Sequence, residues 1–287
     1  MKNTIKLLGA VLAIFFSVTT YAQSQSSKLE NSLLWEVSGN GLSKPSYLYG
    51  TIHMICSADY FLSEKAKKAF DATNKVVLEI NISDPKEMTD LQQMAMGKEP
   101  LSKTLSPSDL AKLTGILQNA GGLTVQQVDS FSLFTVMSLI TMKTFGCTDL
   151  KFYEMGFIEK AKERSLPVAG LETVKEQMGV FAKAYTDTEM IAMLEKSDPA
   201  ETAKMVALYK EENIEGLYEV TTDVNITSEK TKKAILDDRN LNWIKTMPGI
   251  MQNESTFFAV GAAHLGGELG VINLLRKAGY QVKPVTK

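Results

Sequence analysis

His53 and His264 are the only histidines in the chain, and both sit in the same local pattern. Each follows a glycine by three residues, with an apolar run before it: Tyr47-Leu48-Tyr49-Gly50-Thr51-Ile52-His53 and Phe258-Ala259-Val260-Gly261-Ala262-Ala263-His264. Glycine fills about 7% of positions, so chance would set one at this offset from both histidines roughly 0.5% of the time. A physical cause is available. Glycine permits a tight strand exit or a close backbone approach, and the imidazole then lies at the strand's carboxyl end, where open parallel sheets bind ligands. If both strands run parallel, the rings share one cleft. Two imidazoles joined by a carboxylate make a credible site for Mn²⁺, Co²⁺ or Zn²⁺.

Carboxylates with suitable placement follow. Glu79 closes the run Val76-Val77-Leu78-Glu79-Ile80, where an ionised group needs a partner or a metal. Glu172 follows Leu166-Pro167-Val168-Ala169-Gly170-Leu171 and also stands at a strand exit. Glu154 shares a helical stripe with Leu150, Ile158 and Ala161. Asn240 lies on the stripe Leu236, Asn240, Trp243, Met247, and the neighbouring Arg239 could grip a carboxylate with two prongs.

The elements that must position these groups are short strands alternating with helices. Strands are expected at Leu33–Val37, Tyr47–Thr51, Val76–Ile80, Val168–Leu171, Thr256–Val260 and Gln281–Val285. Helices are expected near Ser63, after Ser106-Pro107-Ser108, over Thr124–Phe145 and over Glu268–Ala278, the last stopped by Gly279. The alternation predicts an α/β (or α+β) fold with a mainly parallel central sheet flanked by helices. Residues of about 85–146 and 186–225 hold scarcely a strand and read as a helical insertion or lid on a single domain over 23–287. The 14 methionines are scattered at helical positions and read as core filling.

A formal net charge of −2 and the absence of like-charge blocks give no footprint for nucleic acid, leaving a peptide or small-molecule partner. Lys2 and Lys6 precede an apolar run from Leu7 to Val18 that ends at Thr20-Tyr21-Ala22, the pattern of a cleaved secretory leader over 1–22. The expected product is exported, periplasmic or secreted, with no stable membrane span after cleavage. In an oxidising compartment Cys56 and Cys147 could pair; two buried thiols, or Cys56 as a metal ligand, stay open.

At these residues the chain resembles the TraB/GumN family, which includes the Tiki-type proteases and is related to the erythromycin-esterase-like and ChaN-like folds. The resemblance is carried by Leu48-Tyr49-Gly50-Thr51-Ile52-His53-Met54, Val77-Leu78-Glu79, Gly170-Leu171-Glu172-Thr173 with Gln177, Asp238-Arg239-Asn240, and Val260-Gly261-Ala262-Ala263-His264-Leu265-Gly266-Gly267. Leu274 to Tyr280 extends it, so nearly the whole of 23–287 is covered. Asp238 stands where many members have glutamate, and Glu154 where many have aspartate.

The resemblance implies a metal-dependent peptidase or related hydrolase. Metal ligation is expected from His53 and His264 with Glu79 or Glu172, and Glu79 is expected as general base with a pKa raised by its apolar setting. Arg239 and Asn240 are expected to orient the glutamates and stabilise an oxyanion, with backbone donors added by the amino end of the Glu268 helix. The alternatives are a metal-independent ester or lactone hydrolase with a histidine base, and a non-catalytic binder of peptide, metal or haem.

Overall fold

The computed structural model describes residues 28–286, so the leader expected over 1–22 lies outside the described residues. The described residues include eight strands: β1 Leu34–Ser38, β2 Ser46–Thr51, β3 Met54–Cys56, β4 Lys75–Leu78, β5 Leu150–Phe152, β6 Val168–Gly170, β7 Thr256–Gly261 and β8 Gln281–Pro284. Six of them form one sheet in the order β6-β4-β7-β2-β1-β8. The pairs β6/β4, β4/β7 and β7/β2 are parallel, and β2/β1 and β1/β8 are antiparallel. The fold is therefore α/β with a mostly parallel central sheet flanked by helices.

Val76, Val77, Leu78, Phe257, Phe258, Ala259 and Leu48 are all buried, as expected of parallel strands covered on both faces. Against Phe257, Phe70 packs edge-on, Tyr49 stacked and Phe157 tilted, joining the Glu64–Asp71 and Tyr153–Glu163 helices to the sheet. A second cluster of buried apolar residues comes from helices outside the sheet, including Leu113, Leu117, Val136, Ile140 and Ile191.

Local signals explain most helix starts. Ser63 and Ser106 are both N-caps, accepting from Ala66 N and Asp109 N, and Pro107 occupies the first turn. The long helix expected over Thr124–Phe145 is instead two, Val125–Val128 and Leu133–Thr144. Residues between them leave the helix to bond elsewhere: Asp129 Oδ1 accepts from Ser102 N, and Ser130 O from Gly97 N. Ser132 then caps the next helix through Thr135 N. The last helix begins at Val271, not Glu268. Leu150, expected on the Glu154 helical stripe, belongs to β5, and the β3–β5 ribbon is an element that hydrophobic periodicity does not show.

Cys56 at the end of β3 is disulfide-bonded to Cys147, 91 residues away. The bond ties the ribbon that follows His53 to the loop after the Leu133–Thr144 helix. Closing so long a loop restricts the unfolded chain, so the Cys56→Ser/Cys147→Ser variant should unfold at lower denaturant, with a stability loss of about 2–4 kcal/mol. Urea unfolding monitored by circular dichroism, with and without reductant, measures it. Equal midpoints for both forms would remove the disulfide as a stabilising element.

Candidate active site

The four parallel strands all end at one edge of the sheet, and each is followed at once by a residue that can do chemistry. His53 lies two residues past β2, Glu79 one past β4, Glu172 two past β6 and His264 three past β7. Strands β2 and β7 are adjacent, with Thr51 opposite Gly261, which brings the two histidine motifs side by side. Their glycines serve space, since neither has a positive φ. A methyl group on Gly50 would stand 3.0 Å from Leu265 Cδ1. One on Gly261 would stand 3.2 Å from His53 Nε2, 3.3 Å from Glu79 Oε1 and 3.6 Å from His264 Cδ2. The strained residue is His53 itself, at φ +60°.

Arg239 binds these groups together. Its Nη2 donates to Glu79 Oε2 (2.5 Å) and to Glu172 Oε1, its Nε to Glu172 Oε1 (2.8 Å), and its Nη1 to Ile235 O and His264 Nε2 (both 3.0 Å). These contacts match the guanidinium's five N–H groups. Gln177 Nε2 bridges Glu79 Oε2 and Glu172 Oε1, and Gly261 N donates to Glu79 Oε1 at 2.7 Å. Asn240 donates through Nδ2 to Leu269 O and His264 O, which leaves its Oδ1 to accept from His264 Nδ1 at 2.6 Å. That hydrogen bond sets the tautomer: His264 carries its proton on Nδ1, and its Nε2 lone pair faces Arg239. The indole of Trp243 lies 4.4 Å from the His264 ring, centroid to centroid, and 5.0 Å from the Arg239 guanidinium carbon. A π-helical turn over Lys233–Asp237 immediately precedes the Asp238–Asn253 helix that carries Arg239, as often happens where a helix presents a functional side chain.

His53 belongs to a different environment. Its Nδ1 meets Glu154 Oε1 at 2.8 Å, and Thr51 Oγ1 donates to the same oxygen at 2.8 Å. Its side chain is 56% exposed, whereas those of Glu79, Arg239 and His264 are under 10%. It forms the open wall of a cleft whose floor is buried.

The two imidazoles differ in charge at neutral pH, one cationic and one neutral. At His53 the surrounding protein atoms act to lower the pKa, but the charge and hydrogen bond of Glu154, with the charge of Glu79, raise it to about 9. At His264 burial, aided by Arg239 and His53, outweighs Glu79 and lowers it to about 3. Glu79 departs from expectation. Burial acts to raise its pKa, but the nearby His264, Arg239 and His53 and the Gly261 N–H hold it well below the usual carboxylate range. It is a firmly ionised carboxylate and a weak base. Glu172 is the carboxyl whose pKa is raised, by burial, against the lowering effect of Arg239. Its Oε2 has no hydrogen-bond partner among the described residues.

The expected oxyanion donors are arranged differently. Arg239 and Asn240 have their N–H groups engaged inside the protein, and residues 268–270 precede the final helix. Both residues orient their neighbours. Glu154 and Thr51 complete the site; Glu154 is legible in the sequence as an acid on an apolar helical stripe, and Thr51 only from its place in the motif.

The donor set tests the fit of a metal. His53 Nε2 and Glu79 Oε1 face one point above Gly261, and His264 Nε2 stands 3.8 Å from Glu79 Oε1. Among the described residues, no group of three or more His, Cys, Asp or Glu side chains converges closely enough to hold an ion. Two donors lie within reach of that point, His53 Nε2 once its proton is lost and Glu79 Oε1, and recruitment of His264 requires displacing its contact with Arg239. The Glu154 carboxylate behind His53 is the usual outer support of a metal-binding imidazole.

In metal-free protein the His53 ring should titrate by NMR near 9 and, in Glu154→Gln, fall toward the ordinary 6.5. Because the folded value is the higher one, stability from this pair is complete below pH 6.5 and is lost as pH rises through about 9. A midpoint unmoved by Glu154→Gln would remove Glu154 as the cause.

The chain is similar to proteins named metalloprotease TIKI2 and TIKI1 from Danio rerio, each 23% identical, over 90% and 88% of this chain. Metalloprotease TIKI1 from Homo sapiens is 22% identical over 90% of it. The matches span only 62–63% of the length of those relatives. The profile of the TraB/PrgY/gumN family matches residues 33–284, which takes in every strand and every site residue described above, and the chain belongs to that family.

Proposed function

We propose that the chain is a hydrolase of peptide bonds that works outside the cytoplasm with a divalent cation. The observation that carries this reading is the meeting of His53 Nε2 and Glu79 Oε1 over the bare face of Gly261, at the open end of a parallel sheet. The names of the relatives support the reaction class. The disulfide, and the leader pattern in the sequence, support export. No helix among the described residues is long and apolar enough to cross a membrane.

His53, Glu79 and His264 are the residues that would hold Mn²⁺, Co²⁺ or Zn²⁺. Such an ion supplies an acidified water and polarises a carbonyl. The protein's own groups do the rest. Glu154 and Thr51 fix the His53 ring, so that Nε2 faces the cleft. Glu79, kept ionised, presents negative charge over Gly261. Glu172, with its raised pKa and free Oε2, is the proton acceptor in this arrangement and replaces Glu79 in that role. Arg239 and Gln177 hold the two carboxylates at a fixed spacing, and Asn240 keeps the lone pair of His264 turned inward.

A metal-independent ester or lactone hydrolase is a second reading, in a form without a histidine base: the exposed His53, cationic at neutral pH, can donate to a developing oxyanion and Glu172 can accept the proton, while the His264 lone pair is taken by Arg239. Chelation separates the two readings.

Purified protein stripped with chelator should lose cleavage of a decapeptide pool, read by mass spectrometry, and regain it with Mn²⁺, Co²⁺ or Zn²⁺. Glu172→Gln should lower kcat by about 10²–10⁴-fold, the range for loss of a general base, while metal uptake is retained. His53→Ala should lose both activity and metal. Cleavage that survives chelation together with His53→Ala ends the metallopeptidase reading.

A further inference from the structure

We propose that the open edge of β5 binds an extended polypeptide, which adds as a third strand beside β3 and β5 and leads to the His53 wall of the cleft. The proposal rests on the hydrolase reading and gives its substrate a form.

The ladder geometry shows which groups are free. In the β3–β5 ribbon Met54 faces Phe152, Ile55 faces Lys151 and Cys56 faces Leu150. Tyr153 N donates to His53 O at 2.9 Å and Ser57 N to Asp149 O at 2.8 Å. Antiparallel rungs alternate, so 53/153, 55/151 and 57/149 are the bonded pairs, and the backbone groups of Leu150 and Phe152 point away from β3. Among the described residues the N–H and C=O of Leu150 and the N–H of Phe152 have no partner. Edge strands of this kind are ordinarily covered or blunted by charge, because they template another strand. Here the one charged side chain, Lys151, alternates to the opposite face from Leu150 and Phe152.

The flank carries exposed apolar side chains as well. Phe152 is 40% exposed and Met155 51%, two of the six large apolar residues exposed among those described. A groove of about 760 Å³ runs along β5 and the Tyr153–Glu163 helix; Phe152, Met155 and Ile158 give it an apolar part, and Lys151, Glu159, Lys160, Lys162 and Glu163 give it a charged one.

These features select one kind of occupant. Donors and acceptors that repeat at every second residue match a polypeptide backbone in extended form, and Phe152 with Met155 suits an apolar side chain on it. The edge is continuous with the site. Two residues past Phe152, Glu154 grips the His53 ring. A chain laid on β5 therefore passes from the groove to the cleft, with a backbone carbonyl offered at its end.

The test uses the full-length chain carrying His53→Ala, in chelator, with a decapeptide pool that has leucine fixed at one central position. Retained peptides are identified by mass spectrometry, and the best is resynthesised with a single N-methyl group at each position in turn. Strand addition predicts a two-residue period: methylation at alternate residues weakens binding about tenfold, the scale of one hydrogen bond left unmade, and the residues between tolerate it. Phe152→Ser/Met155→Ser should weaken binding by a similar factor. So should Leu150→Pro, which removes an outward N–H without touching a rung, provided its melting temperature matches that of the parent.

A flat N-methyl scan, or no peptide retained above the Phe152→Ser/Met155→Ser background, overturns the proposal, and neither result depends on the proline variant folding. The unmodified chain separates this from the reading beneath it. Cleavage with a flat scan leaves the hydrolase and removes the strand site. A periodic scan without cleavage under any of the three metals leaves the strand site and removes the hydrolase.

Discussion

Arg239 is 5% exposed, and its guanidinium reaches Glu79, Glu172, His264 and the carbonyl of Ile235 at once. A buried cation so placed must be answered by charge and hydrogen bonds on every side; removing one partner from such a set commonly costs about 3–5 kcal/mol. Much else in the site follows from meeting that requirement. Glu79 stays ionised, Glu172 is fixed by the shared guanidinium and by Gln177, and His264 is held neutral with its lone pair turned to the arginine. The π-helical turn before Arg239 and the indole beneath it belong to the same support.

Two copies of one short motif thereby reach different chemical states. Both glycines make room for close packing at the ends of adjacent parallel strands, and both histidines arrive at the same edge. His53 exits through a left-handed residue onto the cleft wall and meets Glu154, which favours its cation. His264 exits through a 3₁₀ turn into the floor, where burial and Arg239 favour the neutral ring. One imidazole faces solvent charged, and the other faces inward as a base with an occupied lone pair. This asymmetry separates the groups that can meet a ligand from those that hold the floor in place.

The β3–β5 ribbon links the site to the rest of the chain. It starts one residue after His53 and ends two before Glu154, so the pair on the cleft wall is set by the register of that ladder. The disulfide anchors its far end to the loop after the Leu133–Thr144 helix, near the second cluster of buried residues. Helices outside the sheet can therefore influence the cleft wall through a covalent strut.

Apolar runs with strand length, serine caps and the doubled Gly-x-x-His spacing carry local information, and they located β2, β4 and β7, the Pro107–Asn119 helix and the edge where His53, Glu79, Glu172 and His264 meet. Those features depend on neighbours within a few residues and on burial, both written into residue order. Protonation is decided otherwise. Glu79 sits in apolar sequence and looks set for a raised pKa, yet Arg239, 160 residues away, and Gly261, 182 away, hold it ionised. The break at residues 129–132 arises because Asp129 bonds to Ser102, and the β3–β5 ribbon exists because two three-residue segments find each other across the fold. Electrostatics and short-strand pairing act through space between distant parts of the chain, so only the tertiary structure could assign which imidazole is charged, which carboxylate is free and which strand edge is open.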